Sequence, residues 1–361
     1  MRPLALATLA LAGFALTSAL LGRIAPYPEM GDLDDKLRWL EDHGDEYDVL
    51  FAGSSRVLRG VIPEEFDAEL ARRGHPVRSF NLGVDGMGAH ETDATLRRVL
   101  EGKPKRLRWV VVELDGWTAA LRPENRFKAR VVFWHDLPET LTAVRTAALS
   151  GESPGARAEL VSTHLLHCAA RTTAAGRGRD LVERWRSALR RLPTGRPGPD
   201  LDRGAGFEPF SPSAYGTPST HPFRRRFLTM LPAYRRAVDR LPAANRAPVE
   251  LSPPDAHAVA EQTTRIRQRG AVPVHLITPT ARPTPELYRL AAEGRVPHLL
   301  AFNRPRAYPE LFALEHRFDA EHLTTEGARR FSRLLAARFA DEVLADPAPD
   351  PAPAPGTPDE R

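Results

Sequence analysis

The chain has 361 residues, 42% of them hydrophobic, and a formal charge of +5; that is enough apolar material for a sizeable core and a length that suits one α/β domain with an insertion. The base is nearly all arginine, since only Lys36, Lys103, Lys105 and Lys128 are lysines, and no lysine-rich block or interleaved aromatic stripe speaks for a nucleic-acid partner. The arginine excess fits either a compositional bias of the source genome or affinity for an anionic surface such as lipid headgroups or acidic glycan.

The first element is the uncharged run Leu4–Leu21, about long enough to cross a bilayer as a helix. It predicts an uncleaved signal-anchor over residues 1–23. A secretory signal is the alternative, although its apolar region is usually nearer ~7–15 residues and Thr17 is a weak third position back for cleavage after Ala19. Arg2 precedes the run, and only Lys36 and Arg38 are basic between Ile24 and Asp48. The positive-inside rule then leaves the N-terminus in the cytoplasm. The expected product is a single-pass protein of the cytoplasmic membrane with its main domain outside, or a secreted one if the signal is cleaved. Residues 24–46 read as a juxtamembrane stalk with a short amphipathic helix around Leu33–Leu40.

Strands and helices then alternate. Strands are expected at Tyr47–Gly53, Val77–Gly83 and Leu107–Gly116, and helices at Pro63–Gly74 and His90–Gly102. Residues 117–260 interrupt the alternation with helical patterns and a Pro/Gly-rich stretch, Pro193–Pro222, read as a long surface loop. The alternation resumes with a helix over His257–Gly270, a strand over Val272–Thr278, a helix from Pro285, a strand over Val296–Phe302 and a final helix from Thr325 to Leu344. Residues 345–361 are too proline-rich and polar to fold. Five strands alternating with helices predict an α/β, doubly wound, mostly parallel sheet over 47–344, with a helical insertion after the third strand.

In such sheets ligands bind at the carboxyl ends of the strands. The first strand ends in Gly53-Ser54-Ser55-Arg56, the second in Asn81-Leu82-Gly83, and "DAEHL" with Asp319 and His322 precedes the last helix. A serine hydroxyl needs a neighbouring base to act as a nucleophile; histidine supplies one, and a carboxylate fixes its tautomer. A serine opening a helix also has backbone N–H groups beside it that can hold an oxyanion. Taken alone, Gly-Ser-Ser is a turn and a helix cap; the joint placement points to a site.

The order "GSSR", "NLGVDG", "DAEHL" resembles the SGNH/GDSL hydrolase superfamily, over about residues 47–116 and 270–340. The resemblance implies a flavodoxin-like SGNH hydrolase fold, Ser55 as nucleophile, Asp319 and His322 as its partners, and Gly83 as an oxyanion donor. It implies no metal or organic cofactor. A Gly-Ser-Ser first block behind a membrane anchor resembles the envelope branch that transfers or removes small acyl groups, such as alginate O-acetylating and D-alanyl transfer proteins. That branch implies an acylated glycan or small ester as substrate, and allows a membrane acyl-transfer partner. One departure stands out. The third strand ends Glu113-Leu114-Asp115-Gly116, where the family offers an oxyanion-donating asparagine, and an ionised carboxylate cannot donate. Asn81 and Asn125 are candidate replacements. The same departure suits the competing reading, a catalytically weak or inactive domain that binds glycan or scaffolds a membrane assembly.

Other residues admit a functional and a structural reading. Trp134-His135-Asp136, with Arg130 nearby, reads either as lining for an acyl or sugar pocket or as a capped helix start. Arg56 and Arg59 read as ligands for an acidic substrate group or as salt-bridge partners of Glu64 or Glu65. His164, His167 and Cys168 share one helix face and read as core rather than as a metal site, because no carboxylate accompanies them at helical spacing. Cys168 is the only cysteine, so no intrachain disulfide and no cysteine-based zinc site can form. The glycines of "GVDGMG" follow the second strand in the wrong order for a dinucleotide fingerprint.

Overall fold

A computed structural model describes residues 2–24, 30–121, 126, 128–174, 182, 201–202, 204–210 and 221–345. Five strands form one sheet: β1 Val49–Ala52, β2 Ser79–Asn81, β3 Trp109–Glu113, β4 Val272–Ile277 and β5 Leu299–Ala301. Their order is β2-β1-β3-β4-β5 and every pairing is parallel. The described helices are α1 Arg2–Ile24, α2 Asp32–His43, α3 Ser55–Leu58, α4 Pro63–Arg72, α5 Ala89–Glu101, α6 Ala129–Trp134, α7 Leu137–Ala148, α8 Pro154–Thr173, α9 Pro222–Thr229, α10 Leu231–Ala244, α11 Pro253–Gln268, α12 Pro285–Ala292 and α13 Thr325–Phe339. The fold is α/β and doubly wound, of flavodoxin-like type, with the helical insertion between β3 and β4.

The strands are buried on both faces because alternate residues serve opposite layers. Val49, Phe51, Val111 and Val274 pack with Phe66 and Leu70 of α4 and with Phe331, Leu335 and Phe339 of α13. Leu50, Val110 and Val112 pack on the other face with Leu96 and Leu100 of α5 and Ile266 of α11. Phe66 stands edge-on to both Phe51, at 4.9 Å, and Phe339, at 5.4 Å, so the aromatic rings lock α4 and α13 to β1. The observed strands are shorter than the apolar runs that foretold them. At the edge, β5 pairs with β4 alone, over His275–Ile277 and Leu299–Ala301; before it, only the carbonyl of His298 joins in, accepting the His275 N–H (2.8 Å).

The helix expected within the stalk is docked into the domain. Leu33, Lys36, Leu37 and Leu40 of α2 are buried, and Leu33 and Leu37 pack on Val84 and Met87. Residues 204–208 lie against the free edge of β2. Asn81 N–H donates to Ala205 O (2.8 Å). At Gly206, with φ of 85°, an added Cβ would stand 2.1 Å from Asn81 O, so only glycine lets the segment come this close. In the insertion, α6 and α7 pack on α5, α7 pairs with α8, and α1 lies against α8.

Among the described residues no helix is long and apolar enough to cross a membrane. The helix-like pattern around residues 179–192, most of the Pro193–Pro222 loop, Asn125 and the tail beyond residue 345 lie outside the described residues.

Candidate active site

The order reversal between β1 and β3 opens a crevice at the carboxyl ends of these strands. At the end of β1, Ser54 is the N-cap of α3: its Oγ accepts from Arg56 N–H (3.3 Å), and its own N–H donates to Glu113 Oε2 (2.7 Å). Ser55 is the first helical residue, and its Oγ lies 2.8 Å from His322 Nε2. Gly53 is needed just before, because a Cβ there would come within 2.6 Å of both Glu113 Cβ and Val57 Cγ2.

His322 sits on a tight loop closed by Phe318 N–H donating to its carbonyl (2.9 Å) and by a bridge between Arg317 and Leu323. Its Nδ1 lies 2.9 Å from both Asp319 oxygens, and Asp319 Oδ1 also accepts the backbone N–H groups of Glu321 and His322, each at 2.8 Å. Burial opposes the charge of Asp319, but the hydrogen bonds and charge of His322, with those two N–H bonds, outweigh it and hold the carboxyl below its usual range. Ser55, His322 and Asp319 are thus brought together as a hydrogen-bonded relay, 267 residues apart in the chain.

The loop is held from beneath by Arg317, whose side chain is fully buried. It donates to Pro279 O (2.5 Å), Ala320 O (2.5 Å) and Asp319 O (3.2 Å). Phe210 covers the loop from the insertion side. Its ring stacks on Phe318 at 3.9 Å, meets His322 edge-on at 5.2 Å and carries the Arg59 guanidinium at 4.3 Å. Beside the loop, Asp319, Ala320 and Glu321 line a pocket of about 600 Å3 with Ala281 and Arg282, and its mostly apolar remainder comes from Phe223, Arg226 and Phe227 of α9, the linking Met230, and Ala233, Tyr234 and Ala237 of α10.

Five residues expected at the site have different employment. Arg56 neither faces open solvent as a substrate ligand nor pairs with Glu64 or Glu65. Its guanidinium meets Glu113 (2.6 Å), Asp115 (2.5 Å) and Glu321 (3.5 Å), because α3 is a single turn that aims Arg56 back over the end of β3. Burial opposes its charge, and Glu113 and Asp115 more than offset that; Asp115 in turn is held below its usual range by Arg56 despite its own burial. Arg59 pairs with Asp85 (2.5 Å) rather than with α4.

Asn81 is fully buried. Its Nδ2 donates to Val57 O (2.9 Å) and Val61 O (2.7 Å), and its Oδ1 accepts the Gly83 N–H (2.8 Å). Neither Asn81 nor the Gly83 amide is therefore free to receive an oxyanion. Around the serine turn, the described N–H groups without an acceptor include those of Ser55, Asp85 and Gly86. The loop of Gly86 is tied to the serine turn by Val84 N–H donating to Gly53 O (3.1 Å) and by the Arg59–Asp85 pair.

His135 is fully buried in the insertion, away from Ser55's partners. It stacks on Trp134 at 3.6 Å, and its ring nitrogens lie 2.6 Å from Val131 O and 2.9 Å from His164 Nδ1. Burial keeps it neutral, its pKa pushed down to about 2. Asp136 caps α7 through Glu139 N–H (2.9 Å), so the capped-helix reading of this stretch holds. Among the described residues no group of three or more His, Cys, Asp or Glu side chains is placed to hold a metal ion; His164 and His167 spend their nitrogens on Ala119 O, Thr163 O, Arg126 O and His135.

Sequence reasoning missed Lys36, Glu113, Arg317 and Phe210. Lys36 had left a signal: it falls between Leu33, Leu37 and Leu40 on the apolar face of its helix. Its ammonium donates to the carbonyls of Asn81 (2.9 Å), Gly83 (2.7 Å) and Gly206 (2.7 Å), which fixes the start of the β2 loop. Phe210 left none, since its partners Phe318 and His322 are far away in the chain, and Arg317 left none because an arginine gives no sign that it will fold back onto the carbonyls of its own loop and of Pro279.

No protein-family model, no curated protein and no solved structure matches this chain.

Proposed function

We propose that the chain is a serine esterase or O-acyltransferase of SGNH/GDSL type, anchored in the cytoplasmic membrane by α1 with its domain outside, and acting on an acylated envelope glycan or related ester. The observation that carries this reading is the Ser55 Oγ–His322 Nε2 contact of 2.8 Å, continued from Nδ1 to Asp319 at 2.9 Å. In the acylation step, the Ser55 oxygen attacks the ester carbonyl as His322 Nε2 takes the serine proton. Asp319 holds the Nδ1–H tautomer and stabilises the imidazolium. The tetrahedral oxyanion is received by the Ser55 N–H, with Gly86 N–H as the second donor in place of Gly83. Collapse expels the alkoxide, which takes the proton back from His322. Water or a sugar hydroxyl then attacks the acyl-serine by the same relay, which makes the chain a hydrolase or a transferase. The apolar pocket beside Asp319–Glu321 accommodates the apolar part of the substrate. For a transferase, an acyl-donating membrane protein is the fitting partner.

The competing reading is a binding domain without turnover. It is favoured by one observation, the engagement of Asp115 with Arg56 where an oxyanion-donating side chain would stand. Labelling of the full-length protein in detergent with a fluorophosphonate separates the two. The enzyme reading expects labelling that vanishes in Ser55→Ala and falls strongly in His322→Ala, with both variants folded by circular dichroism. Absence of Ser55-dependent labelling, together with absence of ester cleavage, would hand the site to the binding reading.

A further inference from the structure

We infer that the outward face of the α7–α8 hairpin lies in the membrane surface beside α1, as a second attachment to the bilayer. The inference rests on the reading of α1 as an anchor. On α8, Thr163, His164 and His167 point inward and are buried. The outward positions Ala158, Glu159, Ser162, Leu165, Leu166 and Ala169 are exposed, and beyond Glu159 no charged residue occurs from Leu160 to Ala170. Leu165 is 51% exposed and Leu166 is 69% exposed. On α7, Leu137 and Leu141 sit one turn apart, 64% and 58% exposed.

Single exposed leucines are ordinary, but neighbouring helices that both turn leucines outward mark a surface made to be covered. What covers it follows from its neighbour. α1 lies against α8 and turns its own Leu9, Phe14, Leu16 and Leu20 outward; within residues 5–20 only Ser18 is buried. α8, which carries Leu165 and Leu166, is thus the hairpin helix in contact with the one segment whose uncharged run is near span length. Arg145 follows Leu137 and Leu141 on the same stripe of α7 and is exposed. Leucines closed off by an outward arginine are the composition of a helix at an interface, where the guanidinium reaches lipid phosphates. One spanning helix leaves a domain free to swivel; a helix and a hairpin together fix the tilt of the sheet over the bilayer.

The test uses the full-length chain with Cys168→Ser, reconstituted in vesicles of phosphatidylcholine and phosphatidylglycerol. Nitroxide labels are placed singly through Leu141→Cys, Leu166→Cys, Leu11→Cys on α1 and Arg72→Cys on α4, across the sheet. Accessibility to oxygen and to a polar nickel chelate is then compared. The expected result is a lipid-like ratio, high for oxygen and low for nickel, at positions 11, 141 and 166, with a water-like ratio at 72. Water-like ratios at 141 and 166 with a lipid-like ratio at 11 overturn the hairpin attachment and leave the anchor standing. A water-like ratio at 11 removes the anchor and the inference with it. Shielding of 141 and 166 from both reagents overturns the inference in favour of a second copy of the chain covering the patch.

Discussion

Ser54 and Ser55 are chemically identical neighbours, and the fold gives them opposite duties. Ser54 is buried and spent on the helix cap and on Glu113, while Ser55 keeps its hydroxyl for His322. Asp319→Asn keeps the shape but gives His322 the wrong tautomer; kcat toward an activated ester should fall by roughly 10²–10⁴ with KM little changed, read by steady-state kinetics. The same carboxyl, held below its ordinary value of 3.8, binds fewer protons folded than unfolded. Its stabilisation is complete above that value and is lost as pH falls through the lower folded value. Acid unfolding followed by circular dichroism should therefore show the wild type losing its margin over Asp319→Asn below that value. Arg56 is the residue that binds three loops into one. Arg56→Met leaves Glu113 buried without its partner and should cost about 3–5 kcal/mol in denaturant unfolding, with part of that recovered in Arg56→Met/Glu113→Gln.

At the level of elements, α2 is the clearest case of a segment whose place is set by one buried charge. Burial pushes the Lys36 pKa down to about 7 from its ordinary 10.5. Three carbonyl acceptors favour the three-donor ammonium and burial favours the amine; above about pH 7 burial wins. Between these two values the unfolded chain binds more protons than the folded one, so stability rises with pH. Denaturant titrations in detergent from pH 7 to 9 should show that rise, by no more than about 1.4 kcal/mol per pH unit, and Lys36→Met should flatten it while lowering stability throughout. The pair α9–α10 makes a different contribution, the mostly apolar lining of the pocket beside Asp319–Glu321. Ala233→Trp fills that pocket; it should leave acetyl-ester turnover within about twofold and reduce turnover of an octanoyl ester by about tenfold or more, a difference of about 1.4 kcal/mol.

For the molecule as a whole, the anchor reading expects protease added to intact cells to degrade the domain while a cytoplasmic N-terminal tag survives; a protected domain would reverse the orientation. The alternation of apolar runs and capped helices makes the sheet legible in the sequence, because a strand buried on both faces and a helix buried on one leave different periods in the chain. Val49–Ala52, Trp109–Glu113 and Val272–Ile277 fall inside the runs that foretold them. The meeting of Ser55 with Asp319 and His322 was legible from the resemblance of their motifs together with the sheet: parallel strands end at one edge, and the expected site before the last helix was placed at that same edge. What surrounds that triad was not legible. Nothing local tells that Asn81 spends its amide on Val57 and Val61 and its oxygen on Gly83, that Arg56 turns to Glu113 and Asp115, or that His135 closes on His164 inside the insertion. The hydrophobic period follows from residues close in sequence, and this the chain determines by itself, whereas the strand order sets Trp109 beside Val272 across the whole insertion. Which donor meets which acceptor depends on side chains converging from distant segments, and that only the tertiary structure decided.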